Sequence, residues 1–190
     1  ILFVFLFMFL PVALLLYYAV PFRFKNAVLF LTGLLFYAWG EPVYVLIMIL
    51  STLIDYCAGR VMDKFDSNKS IRKVALIVSV VMNLSLLGVF KYSGFFVESI
   101  NSVFGNVMNN PNLPLPIGIS FFTFQSMSYT IDLYRRNIKV QKNFINFAAF
   151  VTMFPQIVAG PIVLYDDVAR ELENRKIDID SISNGISVFI

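Results

Sequence analysis

The sequence predicts an all-α fold: a polytopic transmembrane helix bundle in which some helices are short, broken or re-entrant. Three observations predict it. Apolar residues fill 58% of the 190 positions and charged residues only 14%, against about 45–50% and about 25% in soluble domains. The mean hydropathy is +0.77, and one soluble core of this size cannot hide so much apolar surface. The charges are gathered into short stretches between long apolar runs, and 21 residues are Phe.

The elements follow in order. Residues 1–20 carry no charge and have the length of about 20 residues that a span needs. They lack a basic leader and a small-residue cleavage site, so they read as a first span and not as a signal peptide. Pro11 is a kink that neighbouring helices can tolerate. Residues 21–26 form a short basic turn. The run 27–39 is apolar but short for a crossing, and Gly40-Glu41-Pro42 breaks it. The run 43–58 follows, with Asp55 near its end; 59–73 reads as a polar, charged loop, and 74–90 as a clean apolar span. Residues 92–104 have the pattern of an amphipathic interfacial helix, and 106–112 of a turn-rich loop. The run 113–131 resumes with two prolines and the stretch FFTF, and 132–143 is basic. The apolar run 144–165 is interrupted by Pro155, Gln156, Gly160 and Pro161. Residues 166–180 are charged with helical character, and 182–190 open another apolar run. The sequence opens on Ile1 without Met and stops inside an apolar run. The expectation is therefore that residues 1–190 are the N-terminal part of a single membrane domain.

Alternation of the runs puts Arg23 and Lys25 on one side. The same side takes Arg60, Lys64, Lys69, Arg72 and Lys73, and then Arg135, Arg136, Lys139 and Lys142. These are 11 of the 15 basic residues. The opposite-side loops hold only Lys91. By the positive-inside rule the basic side is cytoplasmic and the N-terminus outside. Arg170, Arg175 and Lys176 join that side if 144–165 is re-entrant and fall outside if it crosses.

Polar groups at membrane depth are costly and therefore candidates for function. They are Asp55, Asn83, Gln125, Asp132 and Gln156. The simplest role for Asp55 is an end-of-helix carboxylate facing the basic loop, and for Asn83 an interhelical hydrogen bond. Gln125, in FFTFQSMSY, suits packing as well as substrate contact. Asp132, followed by Tyr134, Arg135 and Arg136, reads either as an interfacial Asp–Arg anchor or as a donor-side rim where basic groups meet phosphate. FPQIVAGP (154–161) leaves backbone groups unpaired, which is tolerated only as a packed kink or a cavity lining. The sequence has no His and a single Cys, Cys57. That removes Ser/His/Asp and Cys/His catalysis and metal sites built on Cys or His clusters. It has no phosphate-loop or dinucleotide fingerprint, and nothing in it points to nucleic acid. The broken runs 113–118 and 155–161 are like those of transporters, so a transporter or flippase stays open beside an enzyme, as does a non-catalytic scaffold.

Four stretches carry a resemblance: LLFYAWGEPVYVLIM (34–48), LGVFKYSGFF (87–96), LPLPIGISFFTFQSMSYTIDLYR (113–135) and FPQIVAGPI (154–162). Together they resemble the membrane-bound O-acyltransferase (MBOAT) family, in its alginate O-acetyltransferase-like branch. The resemblance implies a many-helix membrane protein with a tunnel. It implies transfer of an acyl group, acetyl in this branch, from a cytoplasmic thioester donor, acetyl-CoA or an acyl carrier, to hydroxyls of an exported polysaccharide. A related branch serves D-alanylation of teichoic acid. The implied setting is the bacterial inner membrane, with membrane lipids, the donor and extracytoplasmic acetyltransferase proteins as partners and no bound cofactor. The family's catalytic histidine falls in the later half, beyond these residues, so 1–190 alone is expected to be inactive and no residue here is assigned as catalytic. The matched positions expected to shape the tunnel or its donor side are Gln125, Asp132, Tyr134, Arg135, Gln156, Gly160 and Pro161.

Overall fold

The computed structural model describes residues 4–105, 107, 109, 114–116, 118–154 and 163–173. Among them every regular element is helical and none is a strand. The chain enters through a π-helical turn, Phe5–Phe9, which passes into α1 (Leu10–Ala19). The Leu10 N–H donates to the Phe5 carbonyl, five residues back. This wider turn sits just before Pro11, which has no N–H to give an α-helical ladder. The first run thus stays helical through its proline.

A 3-10 turn, Phe22–Phe24, leads into α2 (Lys25–Gly40). Then come α3 (Val45–Lys64) and α4 (Lys69–Phe104). Here the structure corrects the sequence expectation twice. Most of the loop expected over 59–73 is helix, because only 65–68 lies between α3 and α4. The interfacial helix expected over 92–104 is the continuation of α4, which no proline interrupts. Asn68 starts α4 by accepting the Ser70 and Ile71 amides at 3.0 and 3.2 Å, the usual service of an N-cap. Gly118, at φ 76°, opens α5 (Ile119–Tyr134); a side chain there would be strained. Asn143 caps α6 (Phe144–Val151) through the Ile145 amide at 2.9 Å. The last described helix is α7 (Tyr165–Glu173).

Helices α3, α4 and α5 pack on one another, while α2 packs on α1 and α6. Contact of α3 with α6 joins the two groups. The α2–α6 contact is close: a Cβ built on Gly33 would lie 2.0 Å from the Thr152 carbonyl oxygen.

The pattern of burial is inverted relative to a water-soluble protein. Asp55, Asn83, Ser79, Ser126 and Thr130 are wholly buried, whereas Trp39, Leu46, Leu15 and Phe7 are exposed, Trp39 by 80%. A surface of this kind is unfavourable in water and suited to lipid, or to further membrane helices. Among the described residues two helices, α3 and α4, are long and apolar enough to cross a bilayer alone. The protein is a helical membrane protein.

The ends of the helices fall into register. Asn26, at the start of α2, donates to Asn146 Oδ1 of α6 at 2.8 Å and to the Leu172 carbonyl of α7 at 3.1 Å. Arg72, at the start of α4, donates to the Leu133 and Tyr134 carbonyls at the end of α5. The three basic segments, 23–25, 60–73 and 135–142, therefore share one end of the bundle. The α6 helix has eight residues, about 12 Å at 1.5 Å per residue, too short to cross. Tyr165 of α7 is back beside Gln141, whose Nε2 donates to its hydroxyl at 2.7 Å. The start of α6 and the start of α7 thus lie at the same end of the bundle, the arrangement that the re-entrant alternative for 144–165 requires.

Candidate functional site

Two sites are built on the α3–α4–α5 group, one inside it and one at its basic end. The inner one is a polar hub. Asp55 lies in the middle of α3 and is fully buried, not at a helix end as its sequence position suggested. The reason is that α3 runs on to Lys64 instead of stopping near Ala58. Asp55 Oδ1 accepts from Asn83 Nδ2 at 2.8 Å and from the Ser79 hydroxyl. Asn83 also donates to the Ser79 carbonyl at 3.0 Å, and its own Oδ1 accepts from Ser51. Ser79 Oγ lies 3.3 Å from Thr130 Oγ1 of α5. Ser126 stands beside the carboxyl, with its hydroxyl donated to the Thr123 carbonyl at 3.2 Å. Asp55 Oδ2 is buried without a hydrogen-bond partner. The interhelical role read for Asn83 is the one the structure shows.

A repeated spacing in the sequence carries this hub: Ser51 and Asp55, Ser79 and Asn83, Ser126 and Thr130. Each pair is four residues apart on an apolar helix, and so shares one face. The sequence reading took up Asp55 and Asn83 but missed Ser51, Ser79 and Thr130.

The second site is a cleft of about 320 Å³ at the basic end. It lies between the end of α3, the start of α4 and the 135–142 loop. Arg72, Arg136, Lys139 and Lys142 line it with Asp63 and Asp66 over an apolar floor that includes Met62 and Leu133. Arg136 adopts φ 64°, a left-handed backbone that few non-glycine residues take; it turns the chain sharply out of α5. The loop is tied down behind the cleft. The Gln141 amide donates to Tyr129 Oη at 3.0 Å, and Tyr56 Oη and Arg60 Nη1 donate to the Lys142 carbonyl at 2.7 and 3.2 Å.

The residues singled out in the sequence fall in three places. Gln125 is buried in α5, and its Nε2 donates to the Phe150 carbonyl at 3.0 Å, binding α5 to the last turn of α6. Asp132, Tyr134 and Arg135 lie where α5 ends, beside the cleft. Asp132 accepts from Asn137 Nδ2 at 3.3 Å. The Asp–Arg pairing expected of it is made instead by Asp66, which bridges Arg72 and Arg136 at 3.1 Å each. The fold puts Asp66, in the short α3–α4 turn, opposite both arginines. Tyr134 lies under the Arg72 guanidinium, 5.7 Å from ring centre to Cζ. Gln156, Gly160 and Pro161 lie outside the described residues.

The chain is similar to several known proteins. Over 98% of its length the chain is 38% identical to a protein named probable alginate O-acetylase AlgI from Pseudomonas syringae pv. tomato, and covers 37% of that protein. The namesake from Pseudomonas aeruginosa is 37% identical over the same shares. The chain resembles the alginate O-acetylases. A peptidoglycan O-acetyltransferase from Helicobacter pylori is 29% identical over 97% of the chain and 41% of its own length. The chain thus spans a little over a third of these relatives. No family model matches it, and no solved structure does.

Proposed function

We propose that the chain forms part of a membrane O-acyltransferase that moves an acyl group, acetyl in this branch, from a cytoplasmic thioester donor to hydroxyls of an exported polysaccharide. The observation that carries this reading is the alginate O-acetylase similarity, which leaves almost no part of the chain unmatched. The fold is compatible with it. A bundle with polar groups inside and apolar groups outside can line a path through lipid while hiding it. The two prolines and the glycine of 154–161 are of the composition that borders such paths. In this reading Gln125, Gln156, Gly160 and Pro161 shape the path, and Asp132, Tyr134 and Arg135 its donor side.

The setting is the bacterial inner membrane, with the basic end cytoplasmic and the N-terminus outside. The donor is acetyl-CoA or an acyl carrier thioester. The protein's partners outside are extracytoplasmic acetyltransferase proteins. The general base that activates the hydroxyl is supplied from outside these residues, since they contain no His. The Helicobacter relative favours a second acceptor, peptidoglycan.

The test is complementation. The gene encoding this chain, in full, is expressed in a strain whose exopolysaccharide lacks O-acetyl groups. Acetyl ester per sugar is then measured in alginate and in peptidoglycan. Ester restored in one polymer identifies the acceptor. Membrane-inserted protein with no ester in either overturns the reading.

A further inference from the structure

The cleft at the basic end contains more order than a surface groove needs. Its Arg72 side chain is only 7% exposed. Nη2 of Arg72 is spent on the Leu133 and Tyr134 carbonyls, at 3.1 and 3.0 Å, and the guanidinium faces the Tyr134 ring. Nη1 points at Asp66 Oδ1, and Nε is buried without a hydrogen-bond partner. Arg136 reaches the same Asp66 oxygen from the opposite wall at 3.1 Å. One carboxylate oxygen thus serves two guanidiniums, while Asp66 and Arg136 are 60% and 61% exposed. Such exposed pairs hold weakly.

Four cationic side chains and two acidic ones line the cleft, an excess of two positive charges. Its volume sits at the low end of small-ligand sites, about 300–1,000 Å³. A phosphate monoester offers three oxygens and two charges, and a phosphodiester two oxygens and one charge, where Asp66 offers one shared oxygen. Guanidinium forks match that geometry, and the apolar floor has room for the organic part of an ester.

We infer that this cleft is a binding site for a phosphate ester, with Arg72 and Arg136 as its clamps and Asp66 as a resident carboxylate that the phosphate displaces. Two sources share this chemistry: a phospholipid headgroup, since basic pockets between membrane helices recognise such groups, and a soluble phosphate compound. The inference does not depend on acyl transfer, because binding is read without turnover.

The test uses the purified protein with pyrophosphate as the soluble probe in detergent. The lipid arm uses nanodiscs of phosphatidylcholine with or without phosphatidylglycerol, followed by native mass spectrometry of retained lipid. R136A and K139A change exposed side chains and are expected to fold, as thermal midpoints will show. Each should weaken whichever probe binds by about tenfold, and D66N should tighten it. Pyrophosphate binding marks a soluble ligand; retained phosphatidylglycerol marks a lipid. The inference is overturned if neither probe binds the wild type, if R136A and K139A bind as well as wild type, or if D66N weakens binding.

Discussion

The two helix groups are held together by opposite chemistry. In α3–α4–α5 the centre is polar: Asp55, Asn83, Ser51, Ser79 and Thr130 exchange hydrogen bonds across three helices. In the other group, where the π-helical turn, α2 and the chain just past α6 meet, the centre is aromatic. Phe5, Phe9, Phe36 and Phe154 form one cluster with ring centroids 5.2–5.9 Å apart. Hydrocarbon offers no hydrophobic drive for helices to associate, since lipid tails are as apolar as the side chains. A polar centre solves this by directionality: it has one satisfied arrangement. An aromatic centre solves it by shape and close approach, which is why Gly33 is needed where α2 meets α6. The two basic-end arginines belong to the first group, so the cleft stands on the more rigidly specified of the two.

The comparison can be broken from either side. The largest effect is expected from Asp55→Leu, which removes the acceptor of one Asn83 Nδ2 hydrogen and the nearer acceptor of the Ser79 hydroxyl. It should cost about 3 kcal/mol at about 1–3 kcal/mol for each donor so affected, read as the unfolding midpoint in mixed micelles titrated with dodecyl sulfate. Asp55→Asn keeps the shape and one acceptor oxygen and should lose clearly less. Equal midpoints for Asp55→Leu and wild type would show that the hub does not organise the helices.

Next is Gly33→Ala. Its new methyl meets a backbone carbonyl, which cannot swing aside as a side chain can, so α2 and α6 must separate. A loss of about 2 kcal/mol is expected from overpacking of this kind. Hydrogen exchange should quicken in α6 and stay unchanged in the middle of α4. Spread of the effect into α4 would mean that the two groups unfold as one.

A smaller loss, about 1 kcal/mol, is expected for Phe36→Leu, which keeps apolar bulk and removes ring–ring contacts with three partners. The smallest effect has the opposite sign. Nothing lies within 4 Å of a Cβ at Gly88, inside α4. Gly88→Ala should therefore stabilise by about 0.5–1 kcal/mol through helix propensity. A loss there would reveal a neighbour that fills the space in the membrane.

The helices were legible wherever composition alone decides. The apolar runs, the turn at 40–42, the basic stretches and their common side all follow from charge and hydropathy. Boundaries were less legible where polar residues lie inside a helix. Arg60, Asp63 and Lys64 look like loop in sequence but extend α3, since at a membrane surface a helix can continue into water. The depth of Asp55 was misjudged for the same reason. The hub partners Ser51, Ser79 and Thr130 were visible only as a four-residue spacing that becomes meaningful once three helices face one another. Asp66 was unreadable as a site residue, because its pairing with Arg72 and Arg136 depends on a turn and on the left-handed backbone at 136.

The unbroken course of α4 has a mechanical consequence. Its 36 residues make a rod of about 54 Å, well beyond the hydrocarbon thickness of about 30 Å. The rod is pinned about two fifths of the way along by Asn83. From that fulcrum the arm to Arg72 is about 16 Å and the arm to Phe104 about 32 Å. A tilt that shifts Arg72 by a given distance therefore sweeps the far tip by about twice as much in the opposite direction.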